Sequence, residues 1–311
     1  MSAAIEAGAA PRSPRAIAWR RRRVATTRFL AKFSRHRAGM LGVGILLFFV
    51  LVAITAPFIF PETLLNASEN LQNEALAPPS SGFYYWLGTD ELGRSVMAEL
   101  AWGTRPSLWV GFMASALAMV IGTLVGIASG HFRGLFGASM ERLTDWFLVL
   151  PFVPLVIVIQ AVLGQTTILI TIVVLGITSW PGTARLVRAQ TLSVEGRPYI
   201  ERAKVLGNSD WMQMVRHVLP NVMPLVIANT TLTVAIVILS MTTLGFLGLL
   251  DPTLMSWGVM LDNADEAGAA LQGAWWYLLP PGLCVIAVVL AFTLIGRTLE
   301  VVLNPRLGVS S

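Results

Sequence analysis

The residues whose types and spacing could support a specific function lie in one polar segment, 189–221, between long apolar runs. It contains Glu201, Ala203, Gly207, His217, Leu219 and Pro220. Pro198 near the start and the glycine at the end predict a helix over 199–206. Asn208-Ser209-Asp210 offers N-caps for a second helix, and Asp210 with Gln213 resembles a capping box; we expect this helix to end at Pro220. Two short helices joined by a tight turn suit docking in a partner's groove and transmitting motion, rather than catalysis.

Catalytic and nucleotide-binding chemistry is hard to assemble from the rest of the chain. The only lysines, Lys32 and Lys204, lie outside any G-x-x-x-x-G-K-[ST] pattern, and no G-x-S-x-G occurs. The single cysteine, Cys284, can build neither a disulfide framework nor a zinc cluster. We therefore predict that the chain is not an enzyme and has no cofactor or metal of its own, so that energy for any active process enters from a partner.

Long apolar runs must position the polar segment. Of the 311 residues, 55% are hydrophobic and 13% are charged, about half the charge of a soluble domain. A spanning helix needs about 20 apolar residues. Runs of this length predict spans at 41–60, 106–130, 143–163, 167–188, 222–248 and 278–300. A turn at Gly164-Gln165-Thr166 would separate the third and fourth spans. The predicted fold class is an all-α polytopic membrane protein with six transmembrane helices. The middles of these spans lack the ionisable groups that a proton-driven transporter needs.

The placement of lysine and arginine predicts the orientation. Of the 22 positive residues, only Arg94 and Arg105 fall in loops opposite the basic N-terminal segment. Because cytoplasmic loops carry the excess of positive charge, we predict a multi-pass protein of the cell membrane with both termini in the cytoplasm. The basic tail then serves topology and contact with the lipid bilayer, with no nucleic acid involved. The predicted divisions are a tail at 1–40, the first span and an outer loop at 41–105, a five-span core at 106–303 and a tail at 304–311.

Two stripes on the predicted spans each allow two interpretations. Small residues recur every four positions in the second span, at Ala114, Ala118, Gly122, Gly126 and Gly130. Such a stripe lets helix backbones approach closely, either within the subunit or against a companion subunit. Polar residues share one face of the fifth span, at Asn229, Thr233, Ser240 and Thr243. They either bond neighbouring helices or line a hydrated translocation pathway.

The polar segment resembles the EAA loop of ABC-importer permeases. The matching pattern is Glu201-x-Ala203-x-x-x-Gly207, nine further residues, and then His217-x-Leu219-Pro220. Arg202 departs from the family's usual alanine. The resemblance implies that these residues couple the chain to an ATPase subunit. The alternative is an ordinary amphipathic connector.

Further blocks resemble the peptide/nickel branch of these permeases. An outer block at 87–94 carries the matching residues Gly88, Thr89, Asp90, Gly93 and Arg94. Blocks at 244–261 and 275–307 also match, so that the resemblance covers roughly 35–308. It points to the C-type subunit of dipeptide or oligopeptide importers. Departures at Ser95, 249–252 and Arg297 put the substrate in doubt more than the fold.

The resemblance implies a type I ABC-importer permease fold and half of a translocation pathway for di- or oligopeptides. The implied partners are a homologous B-type permease subunit, one or two ATPase subunits that hold ATP and Mg, and an extracytoplasmic substrate-binding protein. The same class of importer could carry nickel complexes or haem. A channel or scaffold that works without ATP is the rival class.

Overall fold

The computed structural model describes residues 14–70, 73–164 and 167–303. Within these ranges the α-helices in chain order are α1 (Pro14–Phe33), α2 (Arg37–Ile59), α3 (Val96–His131), α4 (Leu135–Val149), α5 (Phe152–Leu163), α6 (Ile168–Glu195), α7 (Pro198–Val205), α8 (Asp210–Gln213), α9 (Leu219–Phe246), α10 (Trp257–Glu266) and α11 (Trp275–Leu303). The described part of the chain contains no strand beyond one isolated bridge between Thr89 and Ser95. The predicted tail at 304–311, residues 1–13 of the N-terminal tail and two residues of the predicted 164–166 turn lie outside the described ranges.

Five helices in the described chain are long and apolar enough to cross a membrane: α2, α3, α6, the continuous helix Asp210–Phe246, and α11. The bent pair α4 and α5 supplies a sixth crossing if it is counted as one span. The prediction of an all-α protein with multiple spans is confirmed.

The third predicted span, 143–163, is not one straight helix. The chain breaks at Leu150 and Pro151, and α4 and α5 meet at 93°. Proline has no N–H to donate, and it forces the preceding residue into extended backbone. Leu150 accordingly has φ −68° and ψ 130°. Apolar composition alone hid this break, because the residues on both sides of the proline are uncharged.

The second predicted span, 106–130, covers only part of α3. The helix starts ten residues earlier at Val96, where the Ser95 hydroxyl accepts a hydrogen bond from the Ala98 N–H at 3.1 Å. The apolar run begins where the charges end, whereas the helix begins at its cap. The helix therefore carries Glu99 and Arg105 on its first turns, at the end opposite His131.

The small-residue stripe on α3 packs inside the subunit, against α6. A Cβ added at Gly126 would lie 2.7 Å from the Ala184 carbonyl oxygen and 2.7 Å from Val187 Cβ. Similar contacts with α6 surround Gly122 and Gly130. Of the two interpretations, the structure thus supports close packing within one chain. It also makes α3 and α6 a tightly joined pair, which matters for the loop at their shared end.

The remaining spans pack around α11 and α9. Gly39 and Gly42 bring α2 close to α11, and Phe33 at the end of α1 joins a buried cluster with Ile295 and Leu299 of α11. Gly245 of α9 lies against Gly258 of α10. The loop between α6 and α9 is thereby left at one end of the bundle.

Candidate functional site

The first helix of the polar loop forms as predicted, within one residue at each end. Pro198 occupies its first turn, and Leu206 is the C-cap. Gly207 follows with φ +77°. The Asn208 N–H donates to the Ala203 carbonyl at 3.1 Å and the Gly207 N–H to that of Lys204 at 3.0 Å, the pair of bonds that defines a Schellman motif. No atom lies within 4 Å of a Cβ added at Gly207. Glycine is therefore needed here for its backbone conformation, and not for space.

The second helix begins at one of its predicted caps and differs from the prediction at its other end. Its cap is Ser209, whose hydroxyl accepts from the Met212 N–H at 3.4 Å, so Asp210 lies inside the first turn. Gln213 donates instead to the Asn208 carbonyl at 2.8 Å. At the other end, Pro220 does not stop the helix.

A π-helical segment, Met214–Val218, joins α8 to α9 without a break. The Leu219 N–H reaches back to the Met214 carbonyl, and this wider turn precedes Pro220, which has no N–H to lose. One continuous helix therefore runs from the loop through the span.

The loop presents an apolar surface and a free carboxylate. Val205 is 88% exposed, Leu206 is 82% exposed and Trp211 is 70% exposed. The Glu201 residue is also exposed. Ile200 and Ala203 face inward, with Ile200 in a buried cluster of residues from α3, α6 and α9. The two faces of α7 thus have separate roles: one holds it to the spans and the other is open.

His217, Leu219 and Pro220 lie at the start of the long span. His217 is partly buried, and its ring lies 6.2 Å from that of Tyr199 on α7. Leu219 packs against the buried cluster between the loop and the spans. Of these three residues, only Pro220 is exposed.

The outer motif folds into one compact turn. Asp90 accepts hydrogen bonds from the Leu92 N–H at 2.9 Å and the Arg94 N–H at 2.7 Å, and it pairs with Arg94 Nε at 2.5 Å. Thr89 Oγ1 accepts from the Ala77 N–H and donates to the Glu74 carbonyl, both at 2.7 Å. Gly88 and Gly93 have φ of +70° and +74°. All five predicted residues are therefore brought together.

The sequence of this chain matches known membrane-transport proteins. The family described as "Binding-protein-dependent transport system inner membrane component" matches residues 122–309, and "N-terminal TM domain of oligopeptide transport permease C" matches residues 26–79. The chain belongs to this permease family. Its relatives include a dipeptide transport system permease protein of Bacillus subtilis (strain 168), 34% identical over 277 residues, or 89% of this chain and 84% of that protein. An oligopeptide transport system permease protein of Haemophilus influenzae is 32% identical over 88% of this chain and 86% of that protein.

The permease also has a buried ion cluster at the outer motif that sequence reasoning missed in part. Arg94 lies 2.9 Å from Glu99 Oε1 and 3.5 Å from Glu91, in addition to Asp90. Burial alone would lower the pKa of Arg94. The electrostatic attraction of Glu99 and Asp90 has the larger combined effect, so the pKa of Arg94 is raised. Burial raises the pKa of Glu91 above its usual range. Three carboxyl groups thus surround one cation, and Glu99 Oε2 has no hydrogen-bond partner among the described residues.

The polar stripe of the permease divides between two environments. Asn229 donates to Thr183 Oγ1 on α6 at 3.1 Å, so this residue bonds a neighbouring helix. Thr233 and Ser240 are buried, and their hydroxyls donate hydrogen bonds to backbone carbonyls of α9 itself. Thr243 lies on the border of an exposed face that includes Ile236 and Leu239. Of these four residues, only Thr243 therefore borders a face of α9 that the rest of the chain leaves open.

A second missed cluster lies where the loop meets the spans. Glu195, the last residue of α6, contacts His131 Nδ1 of α3 at 2.6 Å and Lys204 Nζ of α7 at 2.8 Å. His131 Nε2 also lies 3.4 Å from Asp210 of α8. His131 is distant in sequence from the other three residues, which lie within 195–210. Only the histidine at the end of an apolar run could have drawn notice.

Proposed function

We propose that this chain is the transmembrane subunit of an ATP-driven, binding-protein-dependent importer of di- or oligopeptides, and that it forms half of the translocation pathway. The observation that carries the proposal is the loop of α7 and α8, which presents Glu201 and an apolar surface and continues without a break into α9. Membership of the permease family supports the class of transporter. The names of the relatives support peptides as the substrate.

The mechanism follows from the position of the loop. An ATPase subunit that holds ATP and Mg would dock on the exposed apolar face formed by Val205, Leu206 and Trp211. Glu201 would supply a charged contact at the edge of this surface. Because α8 and α9 form one helix, displacement of the loop would tilt α9 as a rigid body and switch the pathway between inward and outward opening.

The other partners follow from the same proposal. A homologous B-type subunit would supply the second half of the pathway, and an extracytoplasmic binding protein would deliver substrate at the end that carries the outer motif. The excess of positive charge supports a cytoplasmic location for both termini and the loop.

The proposed function is tested by reconstitution. The chain, its B-type partner, the ATPase subunits and the binding protein are incorporated into proteoliposomes, and uptake of a labelled dipeptide is measured with and without ATP. We expect uptake only with ATP and the binding protein, and none with an ATPase variant that lacks its Walker A lysine. Uptake that continues without ATP would instead identify a channel.

The polar stripe is proposed to line the pathway. In a Cys284→Ser background, Ser240→Cys and Thr243→Cys are expected to react with a membrane-impermeant thiol reagent during transport, because hydrated positions support thiolate formation. Leu51→Cys on α2, the span least covered by the rest of the chain, is the control and should remain unlabelled. Absence of labelling at both stripe positions in every nucleotide state, or equal labelling of the control, would remove the stripe from the pathway.

A further inference from the structure

The ends of four helices meet at one buried carboxylate. The Glu195 side chain is 2% exposed, and its two oxygens are taken by different helices: Oε1 by His131 of α3 and Oε2 by Lys204 of α7. The His131 side chain is 3% exposed and also reaches Asp210 at the start of α8. Glu195 itself ends α6. No other carboxylate in the described chain is shared in this way between the loop and the spans.

This cluster adds directional bonds to a helix that is held to the spans mainly by apolar packing. Gly196 precedes α7 and Gly207 follows it, so both connections have little side-chain restraint. A Cβ at Gly207 would meet nothing within 4 Å, and one at Gly196 would meet only the Leu192 carbonyl oxygen at 3.8 Å. Inward packing of Ile200 and Ala203 holds the helix in place but is non-directional. The bonds from Glu195 to His131 and to Lys204 are directional, and they fix the angle of α7.

The cost of losing the cluster is high because it is buried. A buried carboxylate without partners is strongly disfavoured, so Glu195 resists any movement that carries Lys204 away while α6 stays in place. The α3–α6 pair is itself joined by the glycine stripe at Gly122, Gly126 and Gly130. A displacement of α7 is therefore expected to carry both of these spans with it.

We infer that Glu195 is a positioning residue for coupling: with His131 and Lys204 it locks α7 to the ends of α3 and α6, so that movement of the loop reaches this pair of spans as well as α9. The inference rests on the proposed function. It assigns to the permease a second route of transmission, through side chains, beside the continuous backbone of α8 and α9.

The test compares Glu195→Gln and Lys204→Met with the wild type in the reconstituted complex. The measured quantity is the number of ATP molecules hydrolysed per peptide taken up. We expect this ratio to rise roughly tenfold in both variants, about the effect of losing one hydrogen bond to a charged group, while the complex still hydrolyses ATP. Lys204→Arg keeps the charge and should restore a ratio near that of the wild type. Asp145→Asn, which breaks the exposed ion pair with Arg185, is the matched control and should leave the ratio unchanged.

The possible outcomes separate the two proposals. If the wild-type complex shows no ATP-driven uptake, the proposed function fails first. If the wild type transports and both variants keep its ratio, the role of Glu195 is overturned. If Glu195→Gln fails to assemble, Lys204→Met decides alone, because the Lys204 side chain is 46% exposed and can be replaced without leaving a buried cavity. An equal rise in Lys204→Arg would also count against positioning by charge.

Discussion

Gly207→Val is expected to abolish peptide uptake and the stimulation of ATP hydrolysis while the subunit still inserts into the membrane. The backbone at this residue has φ +77°, a conformation that costs other residues roughly 1–2 kcal/mol and is least accessible to β-branched side chains. Valine would force the turn to open, and the two Schellman bonds from Gly207 and Asn208 would be lost. The angle between α7 and α8 would then change, and the apolar docking surface would no longer be assembled. Uptake and ATPase assays on purified complexes measure the effect.

Gly207→Asn is the control for this prediction. Asparagine adopts the left-handed conformation more readily than other residues with a side chain, and the open space around Gly207 accepts its side chain. It should therefore keep most of the uptake. Equal loss in the asparagine and valine variants would show that the position is sensitive to size, in contradiction to the conformational argument.

Arg94→Met is expected to prevent accumulation of the folded subunit. The change leaves Asp90, which is fully buried, and Glu99, which is 2% exposed, without their cation. Removing one partner of a buried ion pair typically costs about 3–5 kcal/mol, a large share of the stability of most proteins. Immunoblotting of membranes measures how much full-length protein is lost. Thermal unfolding in detergent measures the stability of the protein that remains.

Two further variants examine the cause. Arg94→Met combined with Glu99→Gln removes one of the carboxyl groups that have lost their cation. It should recover part of the lost protein because the backbone N–H groups of Leu92 and residue 94 still bind Asp90. Arg105→Met alters the other outer arginine, which is exposed and lies over the Trp102 ring, and should accumulate normally. If Arg105→Met is lost to the same extent, general depletion of outer positive charge, and not the buried cluster, explains the result.

Residue spacing and composition predicted much of the fold, but they did not predict which prolines break a helix. Pro220 was predicted to end its helix and does not, whereas the predicted span 143–163 runs through Pro151, which does break the helix. The difference is the π-helical segment before Pro220, where the hydrogen bonds already reach back five residues. Whether a helix can absorb a proline depends on the turn before it and on the packing around it, and neither is visible in a hydropathy pattern.

The loop motif was recognisable because its residues are close together in the chain, whereas the clusters that support it are not. Gly207 and the helix before it follow from local rules for turns and caps. Glu195 and His131 are 64 residues apart, and their contact depends on the packing of α3 on α6. The small-residue stripe predicted close packing but could not name its partner, since the same pattern serves contacts within and between subunits.

The uninterrupted helix from Asp210 to Phe246 is longer than the membrane core is thick. Its 37 residues measure roughly 55 Å at about 1.5 Å per residue, against a hydrocarbon core of about 30 Å. Such a helix acts as a lever whose fulcrum lies within the bilayer. A tilt of about 10° around its midpoint displaces each end by roughly 5 Å in opposite directions. If the loop moves as proposed, a displacement of the size of one helical turn there would widen or narrow the opposite mouth of the pathway by a similar distance.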